Sequence, residues 1–277
     1  MEYKALYEMG VNQLKEAGIE EASLDARLLL EDICGTTRND LLAHGDKQVG
    51  RKQYERYVSQ IEKRKQHIPL QHILGYQEFM GLKFKATPKA LIPRQDTETL
   101  VEEAMRCLND GMRILDLCTG SGCILLSLLN YSNSCQGVGS DLSEEALETA
   151  RENAKNLSLS AEFIQSDLFE KIEGKYEMIV SNPPYIPSGE IPKLMEEVRD
   201  HDPIMALDGG EDGLYFYREI VKTADRYLYP GGRLFFEIGC EQGPAVRELM
   251  EKAGYRGVTI CQDLSGLDRV VSGVYLG

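Results

Sequence analysis

The chain has 277 residues, of which 42% are hydrophobic and 27% charged, with a formal net charge of −14. That length suits one large domain or two smaller ones, and no apolar run reaches the roughly 18 residues of a membrane span. The acidic balance argues against direct binding to DNA or RNA, which needs a surplus of Lys and Arg, and seven scattered cysteines point to reduced thiols in a cytoplasm rather than to a disulfide framework. The N-terminus mixes charges of both signs and has no apolar h-region, so no signal peptide is expected.

In chain order, Leu6, Met9, Leu14 and Ala17 recur at helical spacing, and Gly18 can end that first helix. Ser23 can cap a second helix that stops at Gly35. A short third helix is expected over 36–45 and a longer, charged fourth over 51–67. Pro69 breaks the fourth, and a last turn or two follows over 70–75. Residues 1–74 therefore read as a helical bundle without an obvious catalytic group. Within 46–65 seven positive residues (Lys47, Arg51, Lys52, Arg56, Lys63, Arg64 and Lys65) face three negative ones (Asp46, Glu55 and Glu62). Such a run is either a solvated helix face or a docking surface for an acidic or RNA-bound partner. Over 75–95, Phe79, Leu82, Phe84 and Ala86 sit among polar residues and a glycine, and Pro88 and Pro93 follow. This pattern suggests a β-hairpin linker.

From 96 to 277 the pattern turns to strand–helix–strand. Strands are predicted at 113–117, 137–140, 162–165, 177–180, 233–237, 257–261 and 269–275, most of them separated by helical stretches. Short apolar strands of this kind belong to an α/β, doubly wound sheet covered on both faces. In such a fold, ligands sit at the carboxyl ends of the strands.

Three successive strand ends carry candidate ligand groups. The first strand runs into Cys118-Thr-Gly-Ser-Gly-Cys123, where Gly120 and Gly122 permit a tight turn and close backbone approach. A dinucleotide site would want a third glycine where Leu125 stands, which disfavours a pyrophosphate-bearing cofactor. Cys118 and Cys123 lack the second Cys/His pair of a zinc site, and no metal is expected. Asp141 ends the second strand, where a carboxylate can accept both hydroxyls of a ribose; capping the next helix is the plainer alternative, although Ser143 can do that too. Asp167 ends the third strand and suits an adenine amino group, with Leu168 and Phe169 covering the base. Together these positions describe a pocket for a nucleoside without phosphates, of which S-adenosylmethionine is the common one.

The fourth strand ends in Ser181-Asn182-Pro183-Pro184-Tyr185. On its own this is a proline turn with an Asx-type asparagine. At the same sheet edge as the glycine loop it suits a particular chemistry. A planar, conjugated NH₂ group is a poor nucleophile and too weak an acid to deprotonate beforehand. Acceptors aimed at both N–H bonds fix that nitrogen and favour pyramidal geometry as a bond forms. The Asn182 side-chain oxygen and the Pro183 carbonyl can be those acceptors. The two prolines restrict φ and add no competing N–H, and Tyr185 offers a flat face for stacking.

These residues resemble the HemK/PrmC family of N5-glutamine methyltransferases, which modify the Gly-Gly-Gln loop of peptide-chain release factors. The likeness spans nearly the whole chain and rests on PLQHILGYQEFMGLKF, LIPRQDTETLVE, ILDLCTGSGCI, SNPPYIP, ALDGGEDGL, LFFEIGCEQG and DLSGLDRVV. It implies a seven-stranded Rossmann-like (class I) S-adenosylmethionine methyltransferase domain over 96–277, preceded by a helical substrate-docking domain. It also implies a cytoplasmic location and release factors as partners. The cofactor-binding residues would be Cys118, Thr119, Gly120, Ser121, Gly122, Asp141, Leu142, Asp167, Leu168 and Asn182. Substrate would meet Arg94, Asn182, Pro183, Pro184 and Tyr185, with Asn182, Pro183 and Tyr185 as the catalytic group. A ribosomal-protein glutamine methyltransferase would share the NPPY corner, as would an adenine-N6 DNA methyltransferase, against which the acidic balance argues. The chain departs from the family at Cys118, where glycine is usual, at Gln95-Asp96 in place of Pro-Glu, and at Leu267 in place of arginine.

Overall fold

The computed structural model describes all residues, 1–277, and divides into two compact units: Met1–Gly75 with Glu196–His201, and Tyr76–Met195 with Asp202–Gly277.

The first unit is helical: α1 Tyr3–Glu16, α2 Ala22–Cys34, α3 Arg38–Ala43, α4 Arg51–Arg64 and α5 Leu70–Leu74. Leu6, Leu14, Ala26, Leu29, Tyr57 and Ile61 form its interior. The Tyr57 ring lies where a Cβ on Gly10 would stand, and its hydroxyl donates to the Ala26 carbonyl at 3.0 Å. Gly35 ends α2 in the left-handed conformation as expected. Ser23 does not cap that helix: α2 begins at Ala22 and follows Glu21 without a side-chain cap, so Ser23 lies inside the first turn. The basic stretch divides by burial. Lys47, Arg51, Lys52, Arg56 and Lys63 are exposed, whereas Arg64 is buried and donates to Asp25 at 2.7 Å, to the Ile68 carbonyl and to Glu197. Arg64 and Glu197 are 133 residues apart in the chain, and no local sequence pattern pairs them.

The second unit opens with a hairpin, β1 Tyr76–Phe79 and β2 Leu82–Lys85, whose Phe79 and Phe84 rings meet edge to face within the unit's core. The hairpin thus packs as part of this unit. Then come α6 Glu98–Met105, β3 Arg113–Leu117, α7 Cys123–Asn130, β4 Gln136–Asp141, α8 Glu144–Asn156, β5 Glu162–Gln165 and β6 Tyr176–Ser181. After α9 Glu196–His201, which belongs to the first unit, the chain continues with α10 Tyr215–Thr223, β7 Leu228–Glu237, α11 Gly243–Lys252, β8 Arg256–Gln262 and β9 Asp268–Val274. The sheet order is β5-β4-β3-β6-β7-β9-β8. The first five of these run parallel, and β9 is antiparallel to both neighbours.

Alternation along the strands feeds two cores. Ile114, Val180 and Phe235 pack on one face with α7 residues such as Leu125 and Leu128. Leu115, Leu117, Ile179, Leu234 and Phe236 pack on the other with Tyr217, Val246 and Met250 of α10 and α11. β7 starts five residues earlier than its apolar run suggests, at Leu228, and runs through Pro230 and Gly231 with a register shift against β6.

The chain builds outward from β3 through β4 to β5, then returns to place β6 on the other side of β3. This is a topological switch point, where α/β sheets bind ligands. Leu117 pairs with Ser181, so the segments after β3 and β6 leave the sheet side by side.

Candidate active site

The loop after β3 is built from backbone. Cys118, Gly120 and Gly122 all take left-handed φ, at 57°, 54° and 78°. A Cβ on Gly120 would meet no protein atom within 4 Å and would project into open space beside the loop. The Thr119 N–H donates to the Ser140 carbonyl at 2.9 Å, and the Thr119 hydroxyl donates to buried Asp116 at 2.6 Å. Burial pushes the Asp116 carboxyl up to about 7. Behind the loop, fully buried Asn153 donates to the Ser121 carbonyl and accepts from the Lys85 N–H.

Asp141 closes the loop from β4. Its Oδ2 accepts from the Gly120 N–H and its Oδ1 from the Ser143 N–H, both at 2.9 Å. Each oxygen keeps a second lone pair, so two hydroxyl donors can still be received. Burial raises the Asp141 carboxyl, and the backbone donors oppose it. The helix cap falls to Ser143, whose hydroxyl accepts from the Ala146 N–H.

A cavity of about 340 Å³ opens over these groups, within the range of small-molecule sites. Of the predicted residues, Cys118, Gly120, Asp141, Leu142, Asp167, Leu168, Asn182 and Pro184 line it. Thr119 and Ser121 are buried, and Pro183 is buried in the corner. Gly122 sits at the N-terminus of α7, where a Cβ would come 3.2 Å from Ala150. Phe169 does not cover the cavity; it is buried and stacks on Tyr227, ring centroids 4.6 Å apart, leaving Leu168 at the wall. Arg94 is likewise absent from the wall and pairs with Asp202. Three lining carboxylates, Asp141, Asp167 and Asp208, face one cation, Lys89, which already pairs with Glu148 and Glu145. Such a wall repels phosphate and favours a cationic ligand.

The proline corner is held from behind by residues distant in sequence. The Gln242 amide donates to the carbonyls of Tyr185 at 2.9 Å and Gly213 at 3.2 Å, and accepts from the Gly239 N–H. Gly209 and Gly213 press against the Tyr185 backbone so closely that Cβ atoms there would lie 2.7 Å from its Cα and 2.3 Å from its oxygen. Ile186 and Asp208 form a parallel bridge, and Asp208 accepts from the Ser188 hydroxyl and the Gly210 N–H. Tyr185 itself is half-buried against the core, and burial keeps its phenol protonated far above neutrality. The Asn182 Nδ2 donates to the Thr97 hydroxyl at 3.4 Å, which leaves Oδ1 available. Sequence reasoning did not single out Asp116, Thr97, Asn153, Gly209, Gly213, Glu237 or Gln242. ALDGGEDGL and EIGCEQG stood out as segments, but partners across the sheet cannot be assigned without the strand order.

The N-terminal region matches the model of the PrmC N-terminal domain over residues 5–75, and residues 95–198 match the methyltransferase small domain. The release factor glutamine methyltransferase of Geobacter sulfurreducens is 41% identical over 261 residues, covering 94% of this chain and 92% of that protein. The release factor glutamine methyltransferase of Moorella thermoacetica is 42% identical over 265 residues, covering 94% and 93%. Among solved structures, a methyltransferase from Pyrococcus furiosus superposes with a TM-score of 0.55 at 19% identity, over 70% of this chain and 89% of that one, a likeness of fold.

Proposed function

This chain belongs to the release factor glutamine methyltransferases, and on that premise we propose that it methylates the side-chain amide nitrogen of the glutamine in the Gly-Gly-Gln motif of peptide-chain release factors. The methyl donor is S-adenosylmethionine, which when bound supplies a sulfonium carbon open to in-line attack. The residues present suit it. Asp141 can receive the ribose hydroxyls beside a loop kept clear of side chain at Gly120, Asp167 can take the adenine amino group against Leu168, and an acidic wall accommodates a cation without phosphates.

The observation that carries the reading is the pairing of Leu117 with Ser181. It puts Asn182 one residue and Pro183 two residues beyond the sheet edge at which the glycine loop also leaves. There Asn182 Oδ1 and the Pro183 oxygen accept the two N–H bonds of the substrate amide, hold its nitrogen, and favour the pyramidal shape it takes as the N–C bond forms. Tyr185 steers the planar amide through its ring and stays a neutral phenol. The Cys118 thiol, raised by burial and by Asp141 and Asp116, stays protonated and does not compete as a nucleophile. The nitrogen becomes acidic only as it is alkylated and then releases its proton to water.

Incubation with labelled S-adenosylmethionine and a release factor, followed by mass mapping, tests this. One methyl group on the Gly-Gly-Gln glutamine is expected; methylation of another residue, or none, overturns it.

A further inference from the structure

β7 ends in Glu237, next in sequence to Phe236, which pairs with Ser181. Its side chain is 2% exposed, and its Oε2 has no hydrogen-bond partner in the protein. Buried carboxylates of this kind are costly and are retained where their charge is used. Thr97 and Asn182 lie beside this carboxyl and favour its charged form, and the Asn182 Nδ2 donates to the Thr97 hydroxyl. The Asn182 amide, the Thr97 hydroxyl and the Glu237 carboxyl therefore lie together behind the corner.

We propose that Glu237 is a positioning residue for Asn182: directly and through the Thr97 hydroxyl, its carboxylate holds the Asn182 NH₂ and so commits Oδ1 to accept from the substrate amide. This rests on the function proposed above, in which that oxygen meets the reacting nitrogen. An ionised carboxylate has acceptors alone, so it fixes the direction of both the hydroxyl and the amide. A protonated one carries a donor, which can turn the Thr97 hydroxyl or the Asn182 amide around and present N–H groups where the substrate needs an oxygen.

The groups that face Glu237 set its ionisation. Arg269 of β9 favours the charged form, and Asp96 before α6 disfavours it; Tyr185, Tyr217 of α10 and Cys123 of α7 lie near enough to be raised by it and stay neutral. Arg269 also pairs with Asp263 at 3.1 Å and Asp96 at 3.2 Å, so its charge is shared. Burial is the largest influence and lifts the carboxyl to about 7. The positioning device therefore switches on as pH rises through neutrality.

The test follows turnover of the full chain against pH with S-adenosylmethionine and a release factor. Wild-type kcat is expected to rise about tenfold between about pH 6 and pH 8. Glu237→Gln should lower kcat at the upper end by about 30-fold or more, since misplacing one group costs on that order, with a flat profile. Its Kd for S-adenosylmethionine by calorimetry should stay within about threefold, which a general loss of structure would not allow. Thr97→Ser should keep turnover and Thr97→Val lose it, a contrast that stands even if Glu237→Gln folds poorly. In ¹⁵N spectra of the protein alone, the Asn182 side-chain amide signals should titrate near neutrality in wild type and not in Glu237→Gln. Wild-type-like turnover and pH profile in Glu237→Gln, equal turnover in the two Thr97 variants, or a non-titrating Asn182 amide would overturn the proposal. Wild-type turnover in Asn182→Ala would instead overturn the reading of the site on which it rests.

Discussion

The loop after β3 and the corner after β6 leave the sheet as neighbours, yet they keep their shapes by different means. The glycine loop takes most of its shape from residues nearby in sequence: left-handed φ at Gly120 and Gly122, one carboxylate from the next strand, and a threonine bonded to an aspartate three residues back, with Asn153 of α8 behind it. The proline corner has stiff φ angles of its own, but its position depends on Gln242, Gly209, Gly213 and Thr97, which lie 24 to 85 residues along the chain from the corner residues they touch. Local stiffness gives a corner its shape, and tertiary contacts decide where it points.

Substitutions should separate the two regions. The largest effect is expected at the corner's acceptor: Asn182→Ala should cut methyl transfer by about a thousandfold, the upper range for losing a preorganised polar group, while calorimetry still finds S-adenosylmethionine bound. Unchanged turnover would mean that the corner does not hold the substrate nitrogen. A paired comparison comes next. Gly213→Ala puts a Cβ 2.3 Å from the Tyr185 oxygen and should lower kcat by about 100-fold, with cofactor affinity little changed. Gly120→Ala clashes with no protein atom but intrudes on the ligand's space, so it should weaken cofactor binding by about tenfold or more. If both variants lost the same property, the two regions would not be independent.

A smaller effect concerns stability. Asp116, beneath the loop, and Glu237, behind the corner, are both lifted to about 7 by burial. In each case the folded form binds its proton more tightly than the unfolded chain, so the stability they contribute is full below about pH 4 and falls as pH rises through about 7. Asp25 and Asp141 are raised in the same direction. The melting temperature should therefore drop between about pH 5 and pH 8. Glu237→Gln should flatten part of that drop and be the more stable protein at pH 8, by up to roughly 3 kcal/mol for a carboxyl shifted this far. Arg269 would keep Asp263 and Asp96 as partners. A melting temperature rising over that window would contradict the burial of these acids.

What the sequence disclosed follows the same division. The strand ends, the glycine turn and the proline corner were legible because each is written in consecutive residues: a run of β-formers followed by glycine, acid or proline. The edge arrangement was not, because β9 runs antiparallel between β7 and β8 and an apolar strand pattern carries no direction. Phe169 was misplaced for a similar reason. Its neighbour Leu168 takes φ 45°, which turns the chain so that consecutive side chains part, one to the cavity and one onto Tyr227. Glu237 reads as an ordinary strand-end acid until β6 and β7 are paired, and only then does it stand behind Asn182.

The position of Asn182 relative to the substrate is the direct test. A crystal structure with S-adenosylhomocysteine and a Gly-Gly-Gln peptide should place Asn182 Oδ1 and the Pro183 oxygen each within about 3 Å of the glutamine side-chain nitrogen, with the Asn182 NH₂ turned toward Thr97 and Glu237. A peptide bound with its glutamine amide away from the corner, or with Asn182 Oδ1 turned inward to Glu237, would contradict it.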